Sequence, residues 1–278
     1  MSRNNPIRFV YRDVVPDSTL TGTAPDSGAL DNLKNHYRAQ VAVWDNPTFV
    51  SITGSGATNK VCDTFTILDH TLSANFVVQI RLYAGEDLTG DLVYDSGMVP
   101  ASKQVPLGQW RFGVDPFGTS TFTGAPFIHW MPEPKIFKSW RLFILRIDGT
   151  EGISMRMLHL GLSTKLSDSY DWGAVMSHRR SNDIGVTQSG GAVATSNQLA
   201  GKRMQFNLSQ MNDADRLALI DMESITQGEH FIVSGQPENA VKWQESEGTF
   251  LGMFEQPLVY SRRFFDWNSS DTVTVTEV

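Results

Sequence analysis

Asn75–Tyr83 reads NFVVQIRLY, and its alternation fixes the fold class more tightly than any other stretch of the chain. Val78, Ile80 and Leu82 fall on one face and Gln79 and Arg81 on the other, because successive side chains of an extended strand point to opposite sides. Such a segment needs a sheet that buries one of its faces. Comparable runs recur at Ile7–Val15, Gln40–Trp44, Thr48–Thr53, Val61–Leu68, Asp91–Tyr94, Trp140–Ile147 (WRLFILRI) and Ile153–Leu162 (ISMRMLHLGL). In the last of these, Ile153, Met155, Met157 and His159 are assigned to one face. Strands at this spacing, with little helix between them, predict a mainly β protein built on an antiparallel β-sandwich of jelly-roll type.

The breaks between strands follow turn chemistry. Gly54-Ser55-Gly56 and Asp148-Gly149 read as turns, and residues 16–29, with two prolines and two glycines, read as a loop. Asp31–Tyr37 places Leu33 and Tyr37 four apart, which suits one or two helical turns. Residues 97–135 are interrupted throughout by Gly and Pro and carry Trp110, Phe112, Phe117, Phe122, Phe127 and Trp130, so they read as a long inserted loop. The expected division is a sandwich over 1–166 and a smaller β-domain with one packed helix over 167–278. Residues 177–201, polar and glycine-rich, read as a mobile linker or hairpin. The helix is expected near 212–225, capped by Asn212 or Ser209, with Asp213 and Asp215 at the positive end of its dipole. Ala214, Leu217 and Ile220 are assigned to its inner face, Asp221 and Glu223 to its outer face, and Gly228 to its end.

Composition narrows function by exclusion. Lys and Arg total 23 against 30 Asp and Glu, a formal net charge of −7, which disfavours nucleic acid as the main partner. Cys62 is the single cysteine, so an intrachain disulfide and a CxxC metal or redox motif are both excluded. No apolar run is long enough to span a membrane, and the first residues lack the apolar core of a secretory signal. The six histidines show no HExxH or H-x-x-x-H spacing. Asp69-His70 is the nearest acid–histidine pair, and a strand-end turn is the preferred reading. There is no G-x-S-x-G elbow and no phosphate-binding glycine loop. Glu245 and Glu247 read as a solvated strand face, and Cys62 as a small core residue. No catalytic, cofactor or metal residues are assigned, and the chain is expected not to be an enzyme.

The remaining candidates are contact residues. Trp110, Phe117 and Trp130 on the inserted loop, with Arg179 and Arg180 in the polar segment, are the expected surface or assembly contacts. Aromatics suit both sugar stacking and subunit packing, and packing is the preferred reading.

The tract DTFTILDHTLSANFVVQIRLYAG, with WRLFILRI and ISMRMLHLGL after it, resembles the discoidin-like (galactose-binding-like) sandwich of tailed-bacteriophage structural proteins, His70 and Leu72 matching its pattern. Asp171-Trp172-Gly173, the Arg203–Leu208 strand, the helix, Glu229-His230-Phe231 and the closing TVTVTEV resemble the second half of such proteins, which is of tail-tube and distal-tail type. The resemblance implies a virion component of the tail, distal tip or baseplate, made in the host cytoplasm. It also implies assembly with copies of itself and with other tail proteins. A carbohydrate-binding adhesin module touching a host-surface glycan is the alternative, and a cell-wall or capsule hydrolase a third reading without a catalytic constellation to support it.

Overall fold

The computed structural model describes residues 7–35, 40–102, 126–167, 175–186, 192–208, 211–227, 229–235, 248–264, 267–270 and 272–278. The chain forms two compact bodies, one centred on Val10–Ser163, the other on Thr164–Val278 together with the residues up to Phe9. It is mainly β, paired antiparallel, with one α-helix among the described residues.

The first body uses β1 (Arg8–Tyr11), whose last two residues belong to it, then β2 (Thr19–Gly22), β3 (Ala42–Trp44), β4 (Phe49–His70), β5 (Phe76–Tyr83), β6 (Leu92–Asp95), β7 (Val99–Pro100), β8 (Phe127–Arg146) and β9 (Ile153–Lys165). β4 and β8 organise it. Phe49–Ser55 pairs with Ser139–Leu145, and further along Thr64–Ile67 pairs with Phe127–Trp130. β5 lies beside the Ser139–Arg146 end of β8, and β9 beside the Thr64–His70 end of β4. Val50, Ile52, Ile80, Leu142 and Ile144 from the first end, and Phe65, Ile67, Phe127, Leu158 and Leu160 from the second, bury into one apolar cluster.

Several expectations change here. Gly54–Gly56 is not a turn: β4 runs through it for 22 residues, and a register shift between Ser55 and Lys60 absorbs the irregularity. Gly54 is required because a Cβ there would lie 2.3 Å from the ring of fully buried Trp140. The last part of the 97–135 loop is strand. Phe127, Ile128 and Met131 are buried within β8, and Pro132 and Pro134 fall where the ladder skips from Trp130 to Lys135, so their missing N–H groups cost no pairing. β2 forms inside the expected 16–29 loop by pairing with β4. Within the expected Asp31–Tyr37 segment the described residues form a 3₁₀ turn at Leu30–Lys34 that buries Leu33, and Tyr37 lies outside them. In β9 the core side changes phase: Leu158 and Leu160 join the cluster, whereas Met157 and His159 do not.

The second body contains β10 (Val175–Val186), β11 (Ala192–Phe206), α1 (Asp213–Thr226), β12 (Phe231–Ser234), β13 (Thr249–Phe254), β14 (Tyr260–Phe264), β15 (Trp267–Ser270) and β16 (Val273–Glu277). Its sheet runs β10-β11-β16-β13-β12, with β14 and β15 paired separately. Of the two expected readings of 177–201, the hairpin fits and the linker does not: β10 is matched to β11 from Val175↔Gln205 to Val186↔Ala192, with residues 187–191 outside the described residues. Phe9, Phe206, Phe231 and Phe254 form an aromatic nucleus, Phe231 and Phe254 with ring centroids 4.5 Å apart.

Helix α1 is capped as expected by Asn212, whose side chain accepts the Asp215 N–H at 2.7 Å. Its buried stripe is Asp215, Leu219, Met222 and Thr226; Ala214, Leu217 and Ile220, expected inward, are exposed, whereas Asp221 is exposed as expected. Hydrophobicity alone assigned Leu217 and Ile220 inward. Asp215 decides otherwise, because its carboxylate accepts the N–H and hydroxyl of Ser167. The helix ends on Gln227 in the left-handed region, its φ being 47°, one residue before the expected Gly228, which lies outside the described residues.

Candidate functional site

The outward faces of β4, β8 and β5 place a flat polar and aromatic surface on the first body. Alternation puts Phe49 and Ser51 of β4, Arg141 and Phe143 of β8, and Gln79 and Arg81 of β5 on this side, while Val50, Ile52, Leu142, Ile144, Val78 and Ile80 face the core. Register then sets rows across the sheet: Ser51, Phe143 and Gln79 in one, Arg141 and Arg81 in the next.

Within this surface the Phe49 and Phe143 rings stack, with centroids 5.7 Å apart and planes 27° apart. Phe49 is 50% exposed, so an apolar platform is offered to solvent. The Arg141 guanidinium lies 5.7 Å from the Phe143 ring centroid, and its Nε donates to Ser51 Oγ at 3.0 Å. Asp95 of β6 organises the opposite side. Its Oδ2 accepts from Arg81 Nε at 2.9 Å, and its Oδ1 from Gln79 Nε2 at 2.7 Å and from Gly97 N–H at 2.8 Å. Burial alone would raise this carboxyl, but the Gly97, Gln79 and Arg81 donors bring it below the ordinary aspartate value. Gln79, Arg81, Arg141 and Phe143 line an open depression of about 130 Å³. A ring face, a fixed amide and two planar cations can hold a ligand with both C–H faces and polar edges. No general acid or base sits among them.

Other groups with chemical potential lie elsewhere. Tyr94 O–H and His129 Nε2 are 2.7 Å apart; burial lowers the His129 pKa and raises that of Tyr94, and neither lines the depression. His70 is buried, with Nδ1 accepting the Leu72 N–H at 3.1 Å, and Asp69 instead meets Arg156 at 3.6 Å; the strand-end reading of this pair holds. Cys62 is fully buried, and burial pushes its thiol pKa well up. Among the described residues no group of three or more His, Cys, Asp or Glu is placed to hold a metal ion, and no helix is long and apolar enough to cross a membrane. On the second body, Glu223, Glu229, Glu255, Phe254 and neighbours line a depression of about 360 Å³.

The contact residues expected from sequence fall mostly outside the description. Trp110, Phe117, Glu245 and Glu247 lie outside the described residues. Trp130 is half-buried in β8, opposite Thr64, on a different stretch from Arg141 and Phe143. Arg179 and Arg180 lie in β10, on either side of a register shift, and their side chains lie outside the description. The alternation of NFVVQIRLY puts Gln79 and Arg81 on a shared face, but nothing in that strand alone marks a site. The same alternation in WRLFILRI pairs Arg141 with Phe143, but nothing local says that these two strands are neighbours.

No family model and no curated protein matches the chain. Among solved structures it is similar to chitosan-binding module 1 from a chitosanase/glucanase of Paenibacillus sp. IK-5 (10% identity, 54% of this chain and 98% of that one, TM-score 0.38). It is also similar to a fucose-binding module of Streptococcus pneumoniae (11% identity, 54% and 97%, TM-score 0.36) and to the CBM32 of AlyQ in complex with 4,5-unsaturated mannuronic acid (15% identity, 54% and 96%, TM-score 0.35). Against the longer SpGH29 it covers 28% of that chain. These likenesses are too low to carry a functional argument, and nothing in them supports the expected tail-protein placement.

Proposed function

We propose that the first body is a saccharide-binding module that works without catalysis. One observation carries the reading: a stacked pair of phenylalanines, exposed Phe49 on half-buried Phe143, flanked by side chains that are already held in place. Sugar rings have apolar C–H faces and polar edges. An aromatic platform takes the faces, and planar amide and guanidinium groups take the hydroxyls. Because Asp95 and Ser51 fix these groups beforehand, little side-chain entropy remains to be lost on binding. The full chain on a glycan array, followed by calorimetry on the glycans retained, tests the reading. Retention that falls at least about tenfold in both Phe143→Ala and Phe49→Ala, with thermal unfolding little changed, supports it. Failure of the full chain to retain any glycan, neutral or acidic, overturns it.

A second reading, assembly with copies of the chain or with neighbouring subunits, is favoured by β10. It is the terminal strand of its sheet and begins with exposed Val175 and Met176, and such an edge offers unpaired backbone groups to another chain. The finer placement in a tailed-phage virion rests on the sequence resemblance alone. Mass photometry of the purified chain tests the assembly reading, and a monomer across micromolar concentrations would count against it.

A further inference from the structure

The depression carries a charge arrangement that plain sugar binding does not need. Arg81 and Arg141 are directly opposite each other on adjacent strands. Like charges in that position repel and weaken the strand pairing. One carboxylate, Asp95, serves this pair, and it is committed to Arg81, Gln79 and the Gly97 N–H. Arg141 has a hydroxyl and a ring for company: Ser51 Oγ on Nε, and the Phe143 face. Among the described residues no carboxylate pairs with it. Among the described residues the lining therefore holds two guanidiniums and no acid, in a chain whose net charge is −7. A surface that accepts a local repulsion while most of its charge has the opposite sign is complementary to an anion.

We infer that this face recognises a carboxylate-bearing saccharide, of the uronic-acid class, with the Arg141 guanidinium receiving the carboxylate while a sugar ring lies on Phe49 and Phe143. The inference rests on the saccharide reading above and deepens it. A guanidinium offers parallel N–H donors that match the two oxygens of a carboxylate, and stacking on Phe143 restricts the plane in which those donors lie. Ser51 takes Nε and leaves the two terminal nitrogens for the ligand. Gln79 and Arg81, held by Asp95, stand beside it for ring hydroxyls.

The test compares three probes on the full chain by calorimetry at moderate salt: an oligouronate, a neutral oligosaccharide of the same linkage, and a sulfated neutral one. The expected result is that the oligouronate binds tighter than the neutral probe, and that Arg141→Gln removes about 10- to 100-fold of its affinity, as for losing a hydrogen bond to a charged group, but only a few-fold from the neutral probe, which loses no carboxylate contact. Phe143→Ala is expected to weaken both probes. Equal binding of neutral and uronate probes, insensitive to Arg141→Gln, overturns the inference and leaves the saccharide reading standing. Binding of none of the three overturns both. If the sulfated probe binds as well as the uronate, and both fade together with added salt, the surface attracts anions without reading a carboxylate, and the inference fails. Unchanged near-ultraviolet circular dichroism of Arg141→Gln confirms that the sheet is intact.

Discussion

Asp13 Oδ1 accepts the backbone N–H of Leu160 at 3.1 Å, closing a link between residues 147 positions apart. The same oxygen accepts the N–H of Val15 at 3.0 Å. The carboxylate thus ties the segment after β1 to the middle of β9. Lys60 extends the arrangement by donating to Val14 O at 2.8 Å and to Ser18 Oγ at 3.1 Å. Asp13→Ala would strand two N–H donors away from water and open a small void. A loss of about 2–4 kcal/mol in urea-unfolding free energy is expected, with Asp13→Asn losing less because its carbonyl oxygen can still accept.

Acid should destabilise the fold through its buried histidines. Burial, opposed by Asp69, lowers His70 from 6.5 to about 4, so the folded chain holds it neutral while the unfolded chain protonates it. The unfolded state binds the extra proton between those values. The stabilisation is therefore complete above about pH 6.5 and is lost as pH falls toward 4, about 3 kcal/mol in all. His159, lowered by burial against the opposing charge of Asp13, acts in the same sense. Asp13, raised chiefly by burial, acts in the opposite sense, stability falling as pH rises from 3.8 toward its raised value. Denaturant titrations from pH 7.5 to 4.5 should show stability falling with acid, and less steeply in His70→Asn. A pH-independent midpoint would contradict this account.

Gly54→Ala should be among the most damaging small substitutions. The added methyl would sit 2.3–2.5 Å from three atoms of the Trp140 indole, which is fully buried and cannot retreat. Overpacking of this kind costs about 1–3 kcal/mol or more, read as a lower thermal midpoint. Gly97→Ala is a useful contrast. A Cβ there meets nothing within 4 Å, so only its positive φ of 65° is strained.

Removing the cap of α1 should be local and modest. Asn212→Ala loses the acceptor for the Asp215 N–H, at a cost of about 1 kcal/mol. Asp215→Ala should cost more, because its buried carboxylate also receives the Ser167 N–H and hydroxyl. Equal effects of the two substitutions on unfolding would show that the Ser167 contacts contribute nothing.

The site was half legible before the structure. NFVVQIRLY announces that Gln79 and Arg81 share an outward face, and WRLFILRI does the same for Arg141 and Phe143. Their meeting is invisible locally, since β5 and β8 are separated by more than forty residues and only hydrogen-bond register sets Gln79 beside Phe143 and Arg81 beside Arg141. The expected aromatic contacts were sought instead in the Gly- and Pro-rich stretch, where aromatic content was the only signal. The helix and one of its two candidate caps, Asn212, are legible in the sequence, yet its buried face is not, because a buried aspartate reads in sequence as a solvent-facing one.

Sequence alone determined that this chain is rich in strands, where the strongest ones run, and where a helix starts, with Asn212 or Ser209 as its cap. These are consequences of side-chain alternation and capping chemistry, which act over a few residues. Tertiary structure decided that β4 passes unbroken through Gly54–Gly56, that β10 pairs with β11 where a linker was the other reading, and that two arginines face each other beside a phenylalanine pair. Each of those depends on a partner strand or ring distant in the chain, and local sequence carries no record of which distant segment will lie alongside.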